Sequence, residues 1–173
     1  MLKVAIVMGS KSDFDKVKPM VDVFDVFGVP FEARVLSAHR TPVEAAEFAE
    51  SAALGGFGVI VAVAGKAAHL GGVLAAHTTL PVVALPVSTS FLDGLDSVLS
   101  ILPMPAGIPV AVMGVNAGQN AALFCVRMLA AGDAELTDKY EAYVADMHKT
   151  TLAADASLGS EIDTYRKERK RSK

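Results

Sequence analysis

The segment from Val59 to Ala64 consists only of apolar residues, and its lack of polar alternation constrains the fold more than any other feature. Such a strand is typical of a parallel sheet that is covered by helices on both faces. Further strand-like segments lie at 4–8, 31–36, 81–87 and 109–115. Because residues at helical spacing follow each of them, we expect a doubly wound α/β fold in which a parallel sheet is the middle of three layers.

Capping residues and spacing place the helices between these strands. Ser12 or Asp13 is expected to cap the first helix and Gly28 to end it. Thr41 precedes a proline and, three residues on, a glutamate, which is typical of a capped helix start. Further helices are expected at about 67–77, 92–101 and 118–131, and one or two from 134 to about 170. We therefore expect one domain over residues 1–173, with a core at 3–131 and a helical C-terminal extension.

Composition excludes several classes of protein. With 52% hydrophobic and 20% charged residues, the chain can form one core and is not expected to be disordered. Its one cysteine, Cys125, excludes an internal disulfide framework and a cysteine-built zinc site, and the apolar helix around it predicts a core position. No apolar run has the length of a membrane span, and the first residues lack the layout of a signal peptide. We therefore expect a cytoplasmic protein without a membrane partner.

Charge is distributed unevenly along the chain. Sixteen basic and nineteen acidic residues argue against general nucleic-acid binding. Residues 166–173, however, contain six basic residues and one acidic residue. They are either a solvated helix end, where bases favour the negative pole of the helix dipole, or a site for a polyanion. Because no aromatic platform or second basic patch accompanies them, we expect a solvated helix end and no nucleic-acid partner.

Ligands of doubly wound sheets bind beyond the carboxyl ends of the strands, where three segments are informative. The first contains Gly9, Ser10, Ser12 and Asp13, directly after the first strand. Glycine admits a close backbone approach, the serines offer hydroxyls and the helix start favours an anion. Asp13 suits the hydroxyls of a ribose. The segment predicts a phosphorylated sugar as ligand, and a well-capped helix start without a ligand is the alternative.

The second segment follows the second strand and reads Ser37-Ala38-His39-Arg40-Thr41-Pro42. The planar guanidinium of Arg40 can clamp a phosphate. Histidine titrates near neutral pH, which suits His39 to proton transfer. The alternative is a surface loop with an exposed histidine and an ion-paired arginine.

The third segment follows the third strand and runs from 64 to 72. Its small residues allow a planar ligand to lie against the backbone, and the start of the following helix can hold a carboxylate. Lys66 or His69 can assist, and a tight glycine-containing turn is the alternative. The candidate binding residues of this segment are Ala64, Gly65, Lys66, Ala67, His69 and Leu70.

Other polar residues lack a pattern that indicates catalysis or metal binding. Four serines after the fourth strand lack the pattern of a nucleophile elbow: Ser88, Ser90, Ser97 and Ser100. His77 and His148 have no nearby set of ligands, so no metal site is expected.

Several motifs occur in an order that matches one family. They are Gly-Ser-Lys-Ser-Asp at 9–13, Ser-Ala-His-Arg-Thr-Pro at 37–42, Ala-Ala-His-Leu at 67–70, Leu-Asp-Ser-Val-Leu-Ser at 95–100 and Met-Pro-Ala-Gly-Ile-Pro-Val at 104–110. On these residues the chain resembles, from about residue 3 to 131, the PurE family of N5-carboxyaminoimidazole ribonucleotide mutases of purine biosynthesis. The resemblance implies a flavodoxin-like sheet.

The resemblance also implies a reaction. The family transfers a carboxyl group from the exocyclic N5 of an aminoimidazole ribonucleotide to C4 of its ring, without metal, nucleotide or biotin as cofactor. His39 matches the general acid/base of the family, and the 64–72 segment would cover the imidazole and the carboxylate. The residues that match the phosphate and ribose positions, or would assist them, are Ser10, Ser12, Asp13, Ser37 and Arg40.

Two residues depart from the common bacterial mutases. Lys66 stands where these have a glycine, and Gly71 where they have a proline. A basic residue at 66 is similar to a second class of the family, which carboxylates the aminoimidazole ribonucleotide directly with carbon dioxide, whereas Arg40 and His69 resemble the mutases. The mutase is favoured and direct carboxylation stays open. The resemblance further implies a homo-octamer with C-terminal helices that reach across neighbours. A non-catalytic sensor of sugar phosphates is the alternative outside the enzymes.

Overall fold

The computed structural model describes residues 1–171, in which five parallel strands form one sheet of order β2-β1-β3-β4-β5. The strands are β1 Lys3–Met8, β2 Phe31–Val35, β3 Phe57–Gly65, β4 Val82–Val87 and β5 Ala111–Val112. Helices cover both faces, so the predicted doubly wound fold is confirmed. The last strand is shorter than the predicted 109–115, because a proline at 109 has no N–H for the ladder and Asn116 turns the chain at a φ of +56°.

Six α-helices connect and extend the strands. They are α1 Phe14–Phe27, α2 Pro42–Ala52, α3 Leu70–Ala76, α4 Leu95–Ile101, α5 Gly118–Ala130 and α6 Ala134–Arg171. Short 3₁₀ turns at Lys11–Asp13 and Leu92–Gly94 precede α1 and α4. The region after 134, predicted as one or two helices, is a single helix of 38 residues.

The predicted caps of the first two helices are wrong, whereas the predicted end of α1 is confirmed. Ser10 supplies the cap, because the chain enters α1 through the 3₁₀ turn and the first free N–H group is that of Ser12, 3.3 Å from the Ser10 hydroxyl. Asp13 makes no capping bond. Thr41 does not cap α2, since its hydroxyl accepts a hydrogen bond from the N–H of Ser37 at 2.8 Å. Gly28 ends α1 at a φ of +69°, which favours glycine.

Both faces of the central strands β1, β3 and β4 are apolar because each faces a layer of helices, whereas the edge strand β2 is largely exposed. In β1, Val4 and Ile6 pack into the core formed with α1 and α5, whereas Ala5 and Val7 pack into the core formed with α2 and α3. All four are fully buried. Burial of a valine or isoleucine side chain contributes about 1.5–3 kcal/mol to the free energy of folding. The central strands therefore form a stable base for the loops at their carboxyl ends. Cys125 is buried in the first of these cores, as predicted.

Helix α6 packs on the domain only at its start. Leu136 is fully buried, and the rings of Tyr140 and Tyr143 lie with centroids 6.0 and 5.5 Å from that of Phe27. From Val144 onward nearly every described residue is exposed. The helix is described to Arg171, and the last two residues of the predicted basic tail, 172 and 173, lie outside the described residues. Within residues 1–171, no helix combines the length and the apolar character that a membrane span requires.

Candidate active site

A cleft of about 700 Å³ opens at the carboxyl end of the sheet. Loops after β1, β2, β3 and β4 form its walls, because these strands are neighbours in the sheet. Every predicted site residue except His69 lines this cleft, and His69 bonds to one that does. The predicted residues that line it are Ser10, Ser12, Asp13, Ser37, His39, Arg40, Ala64, Gly65, Lys66, Ala67 and Leu70. Their role in binding stays a prediction.

The loop after β1 presents two hydroxyls to the cleft. The Ser12 hydroxyl donates to the Ser10 hydroxyl at 2.8 Å, and the Ser12 N–H donates to the same oxygen. Ser10 has an extended backbone and caps the 3₁₀ turn, so the start of this turn lies at the carboxyl end of β1, beside the cleft. Hydroxyls at the positive end of a helical segment suit an anion.

Asp13 is half-buried beside these serines, and burial raises the pKa of its carboxyl from the ordinary 3.8. The hydrogen bond from Ser12 and the positive charge of Arg40 lower the same pKa, but burial outweighs both. A carboxylate that costs free energy to keep charged is a good acceptor for ligand hydroxyls, because these replace the water that it has lost.

Ser37 organises the loop after β2. Its hydroxyl accepts hydrogen bonds from the N–H groups of His39 and Arg40, at 3.4 and 3.2 Å. The guanidinium of Arg40 then donates to the carbonyl of Gly9 at 2.7 Å, which ties this loop to the loop after β1. The remaining guanidinium N–H groups are free to bind an anion that lies on Ser10 and Ser12.

His39 contacts the loop after β3 through its imidazole. Its Nε2 lies 3.0 Å from Nδ1 of His69, and the two rings meet edge to face with their centroids 5.1 Å apart. One of the two nitrogens carries the hydrogen of this bond and the other accepts it. The pair orients His39 at the end of the cleft that is formed by the loop after β3.

Lys66, the positively charged residue of the segment 64–72, lies in the loop after β3. Lys66 is exposed and has a φ of +61°, which is rare for a residue other than glycine. Its ammonium makes no ion pair with a carboxylate in residues 1–171. It is therefore available to a negatively charged ligand in the cleft.

Sequence reasoning missed part of the cleft wall. Lys16 lines it from the first turn of α1, and Ser88, Thr89 and Ser90 line it from the loop after β4. Ser88 is held by Asn116, whose side-chain amide donates to the Ser88 hydroxyl at 2.8 Å. The signal for 88–90 was present, since these residues also follow a buried strand. The sequence did not indicate that Lys16 lines the cleft, because the face of α1 on which it lies depends on the residue at which the helix begins.

Among residues 1–171 there is no group of three or more histidine, cysteine, aspartate or glutamate side chains that could hold a metal ion. The pair of His39 and His69 has no third ligand of these types.

Comparisons with known proteins show which family the chain resembles. The family model described as AIR carboxylase matches residues 3–150. A relative from Saccharolobus solfataricus, named N5-carboxyaminoimidazole ribonucleotide mutase, is 44% identical over 153 residues, which are 88% of this chain and 97% of the relative. A relative from Saccharomyces cerevisiae, named phosphoribosylaminoimidazole carboxylase, is 46% identical over 155 residues, which are 90% of this chain and 27% of that protein.

A solved structure is similar as well. The crystal structure of Treponema denticola PurE matches with a TM-score of 0.82 and 27% identity, and the match covers 90% of this chain and 97% of that one. The family model and the two relatives each match most of the chain. The residues matched by the family model include all four loops of the cleft. The chain belongs to the AIR carboxylase family.

Proposed function

We propose that the protein is an N5-carboxyaminoimidazole ribonucleotide mutase of purine biosynthesis, an isomerase that moves a carboxyl group from N5 to C4 of its substrate. One observation carries the proposal: Ser10, Ser12 and Arg40, whose side chains suit a phosphate, line the same cleft as His39. Relatives that match along nearly their whole length bear this name, which supports the mutase over other reactions of the family.

The substrate is held by its phosphate and its ribose. The hydroxyls of Ser10, Ser12 and Ser37 and the guanidinium of Arg40 hold the phosphate, aided by the N–H groups at the start of the 3₁₀ turn. Asp13 accepts hydrogen bonds from the ribose hydroxyls. This arrangement extends the aminoimidazole ring towards the loop after β3, where Lys66 lines the cleft and His69 contacts His39.

His39 transfers the proton in both directions. As an imidazolium it donates a proton to N5 while the bond from N5 to the carboxyl carbon breaks and leaves its electron pair on nitrogen. Carbon dioxide and the aminoimidazole result. The ring then attacks carbon dioxide through C4, and neutral His39 removes the proton from C4. One proton leaves the histidine and one returns, so the reaction is an isomerisation that needs no cofactor.

The loop after β3 keeps carbon dioxide beside the ring. Ala64, Gly65, Ala67 and Leu70 supply small or apolar wall on one side of the cleft. Such a wall excludes water and limits escape of the intermediate. The ammonium of Lys66 neutralises the carboxylate before and after its transfer.

Direct carboxylation of the aminoimidazole ribonucleotide is the second candidate, and Lys66 is the observation that favours it. A fixed cation in the cleft can also hold carbon dioxide or bicarbonate from solution. Purified protein is therefore supplied with N5-carboxyaminoimidazole ribonucleotide, with and without added bicarbonate, and the C4 product is followed. The mutase predicts conversion at a rate that bicarbonate does not change. Preference for aminoimidazole ribonucleotide and bicarbonate assigns the carboxylase instead.

The same assay tests whether the protein is a non-catalytic sensor of sugar phosphates. It predicts that ribonucleotide binds without conversion and that His39→Asn leaves binding and response intact. Conversion at any bicarbonate concentration rejects the sensor, whereas binding without conversion rejects both enzymes.

The active form is a cytoplasmic homo-octamer. Exposed apolar residues recur along α6 after Tyr143, at Val144, Met147, Leu152, Leu158 and Ile162. A helix with such a face gains stability from a neighbouring subunit. Sedimentation analysis is expected to give eight copies for the wild type and a smaller species for Met147→Glu combined with Leu158→Glu. A monomeric wild type contradicts this assembly.

A further inference from the structure

The loop after β3 holds an unfavourable backbone conformation at Lys66. Its φ of +61° lies in the left-handed region, where the Cβ of a side chain is crowded by the backbone. A conformation of this kind persists only where surrounding contacts hold it. The residues that make these contacts therefore decide where the loop, and with it one wall of the cleft, lies.

Ser97 holds the N–H side of this residue. Its hydroxyl is fully buried, accepts a hydrogen bond from the Lys66 N–H at 2.9 Å and donates to the Val87 carbonyl at 2.9 Å. The hydroxyl thus joins the end of β4 to the loop after β3. Because this is a buried site, loss of the hydroxyl leaves two backbone groups without their partner.

Ser100 holds the carbonyl side. Its hydroxyl accepts a hydrogen bond from the Ala68 N–H at 3.0 Å. It lies 3.0 Å from the carbonyl of Lys66 and 3.0 Å from that of Ser97, and its one hydrogen can be donated to either. Ser97 and Ser100 are three residues apart on α4, so their side chains lie on the same face of this helix. Together they contact the backbone on both sides of the Cα of Lys66.

We propose that Ser97 and Ser100 are positioning residues that clamp Lys66 in its left-handed conformation and so hold the loop after β3 against the cleft. Neither side chain acts on the substrate. The clamp directs the Lys66 ammonium into the cleft and places His69, three residues further on, where it contacts His39. This inference rests on the proposed function, because the loop is assigned to the carboxyl group and to carbon dioxide.

The first experiment compares Ser97→Ala and Ser100→Ala in two backgrounds, with Lys66 and with Lys66→Gly. Misplacement of a catalytic wall by about 1 Å costs on the order of 100-fold in rate, so each serine variant is expected to lower kcat by up to about that factor with Lys66 present. Glycine adopts positive φ without strain. With Lys66→Gly, the further loss caused by either serine variant is therefore expected to be much smaller.

Two further readouts separate positioning from general destabilisation. A displaced loop releases carbon dioxide, so the aminoimidazole ribonucleotide formed per molecule of C4 product is expected to rise in the serine variants, while KM changes less than kcat. Ser51→Ala is the matched control, since the Ser51 hydroxyl likewise donates to a backbone carbonyl, that of Glu47 at 2.7 Å, but lies away from the cleft. It is expected to leave kcat and product ratio unchanged.

Amide hydrogen exchange tests the clamp independently of turnover. Exchange of the Lys66 N–H is expected to accelerate in Ser97→Ala, and exchange of the Ala68 N–H in Ser100→Ala. Ser100 is only partly buried, so Ser100→Ala carries the test if Ser97→Ala does not fold. Unchanged exchange, or equal losses of kcat in both backgrounds, overturns the inference. An inactive wild type overturns the proposed function instead, and the exchange pattern still decides the clamp.

Discussion

The Nε2 atom of His39 lies 3.0 Å from Nδ1 of His69, although the two residues are 30 positions apart and belong to loops after different strands. The sheet order separates β2 from β3 by β1, so the contact spans the width of the cleft. It links the group proposed to transfer the proton to the loop proposed to cover the carboxyl group. A polar partner of this kind fixes the orientation of an imidazole, which general acid/base catalysis requires.

Replacement of the imidazole of His39 tests its proposed role. His39→Asn keeps a polar side chain but removes the titrating group, so kcat is expected to fall by about 100- to 10,000-fold while the Kd of the ribonucleotide changes little. Steady-state kinetics and calorimetric titration measure the two quantities. The matched control is His77→Asn, because His77 pairs with Glu50 at 2.9 Å and does not line the cleft. Retained turnover in His39→Asn removes this residue from the mechanism.

Arg40 is expected to act on binding rather than on the chemical step. Hydrogen bonds to charged groups contribute about 1.5–3 kcal/mol, so Arg40→Ala should raise KM by about 10- to 100-fold, and added salt should weaken the wild-type affinity. Arg34→Ala serves as control, since Arg34 pairs with Glu32 on β2 and lies outside the cleft wall. An unchanged KM in Arg40→Ala would place the phosphate elsewhere.

Asp13 links binding to stability. Because burial raises the pKa of Asp13 in the folded state above 3.8, the folded state binds a proton more tightly than the unfolded state does. The stability contributed by this proton is present below pH 3.8 and is lost as the pH rises through the folded pKa. Asp13→Asn should therefore unfold at higher urea concentration than the wild type at pH 7, lose this advantage near pH 3.5, and bind the ribonucleotide more weakly.

Asp15 offers a control of opposite sign for Asp13. The hydrogen bond and the charge of Lys18 lower the pKa of Asp15, so its contribution is present at neutral pH and disappears as the pH falls through the folded pKa. Asp15→Asn is thus not expected to raise the stability of the protein at pH 7. Because the ion pair of Asp15 with Lys18 is exposed, any change in stability should be small. If Asp13→Asn also fails to stabilise the protein at pH 7, the desolvation of Asp13 is contradicted.

Cys125 is expected to be unreactive in the folded protein. Burial raises the pKa of its thiol to about 12, so the thiolate that reacts with alkylating agents is nearly absent at pH 8. Iodoacetamide should label the protein in urea but not in buffer, as mass spectrometry can measure. Rapid labelling of the native protein would contradict the buried position.

Much of the fold follows from local patterns. The apolar segment around Val59 to Ala64 indicated a sheet buried on both faces, and the glycine at 28 marked the end of α1. The details that failed depend on neighbours along or across the chain. The cap moved to Ser10 because a 3₁₀ turn precedes α1, and the last strand shortened because Pro109 has no N–H to donate.

The cleft was predictable as three loops, but not as a set of contacts. Polar residues directly after predicted strands placed Ser10, His39 and Lys66 at one edge of the sheet. The serines of α4 were judged only as nucleophiles, and their bonds to Lys66 and Ala68 became visible with the packing of α4 on the loop. Tertiary contacts over more than 30 residues leave no trace in local spacing.

The fate of the substrate's carboxyl carbon tests most directly whether the carboxyl group is transferred from N5 to C4 within the cleft. The substrate is prepared with ¹³C in its N5 carboxyl group and converted in buffer that contains unlabelled bicarbonate, and the C4 carboxyl of the product is analysed by NMR spectroscopy. Transfer within the cleft predicts that the product keeps nearly all of the label at every bicarbonate concentration. A label that is diluted in proportion to bicarbonate would mean that carbon dioxide comes from solution, which contradicts the mutase.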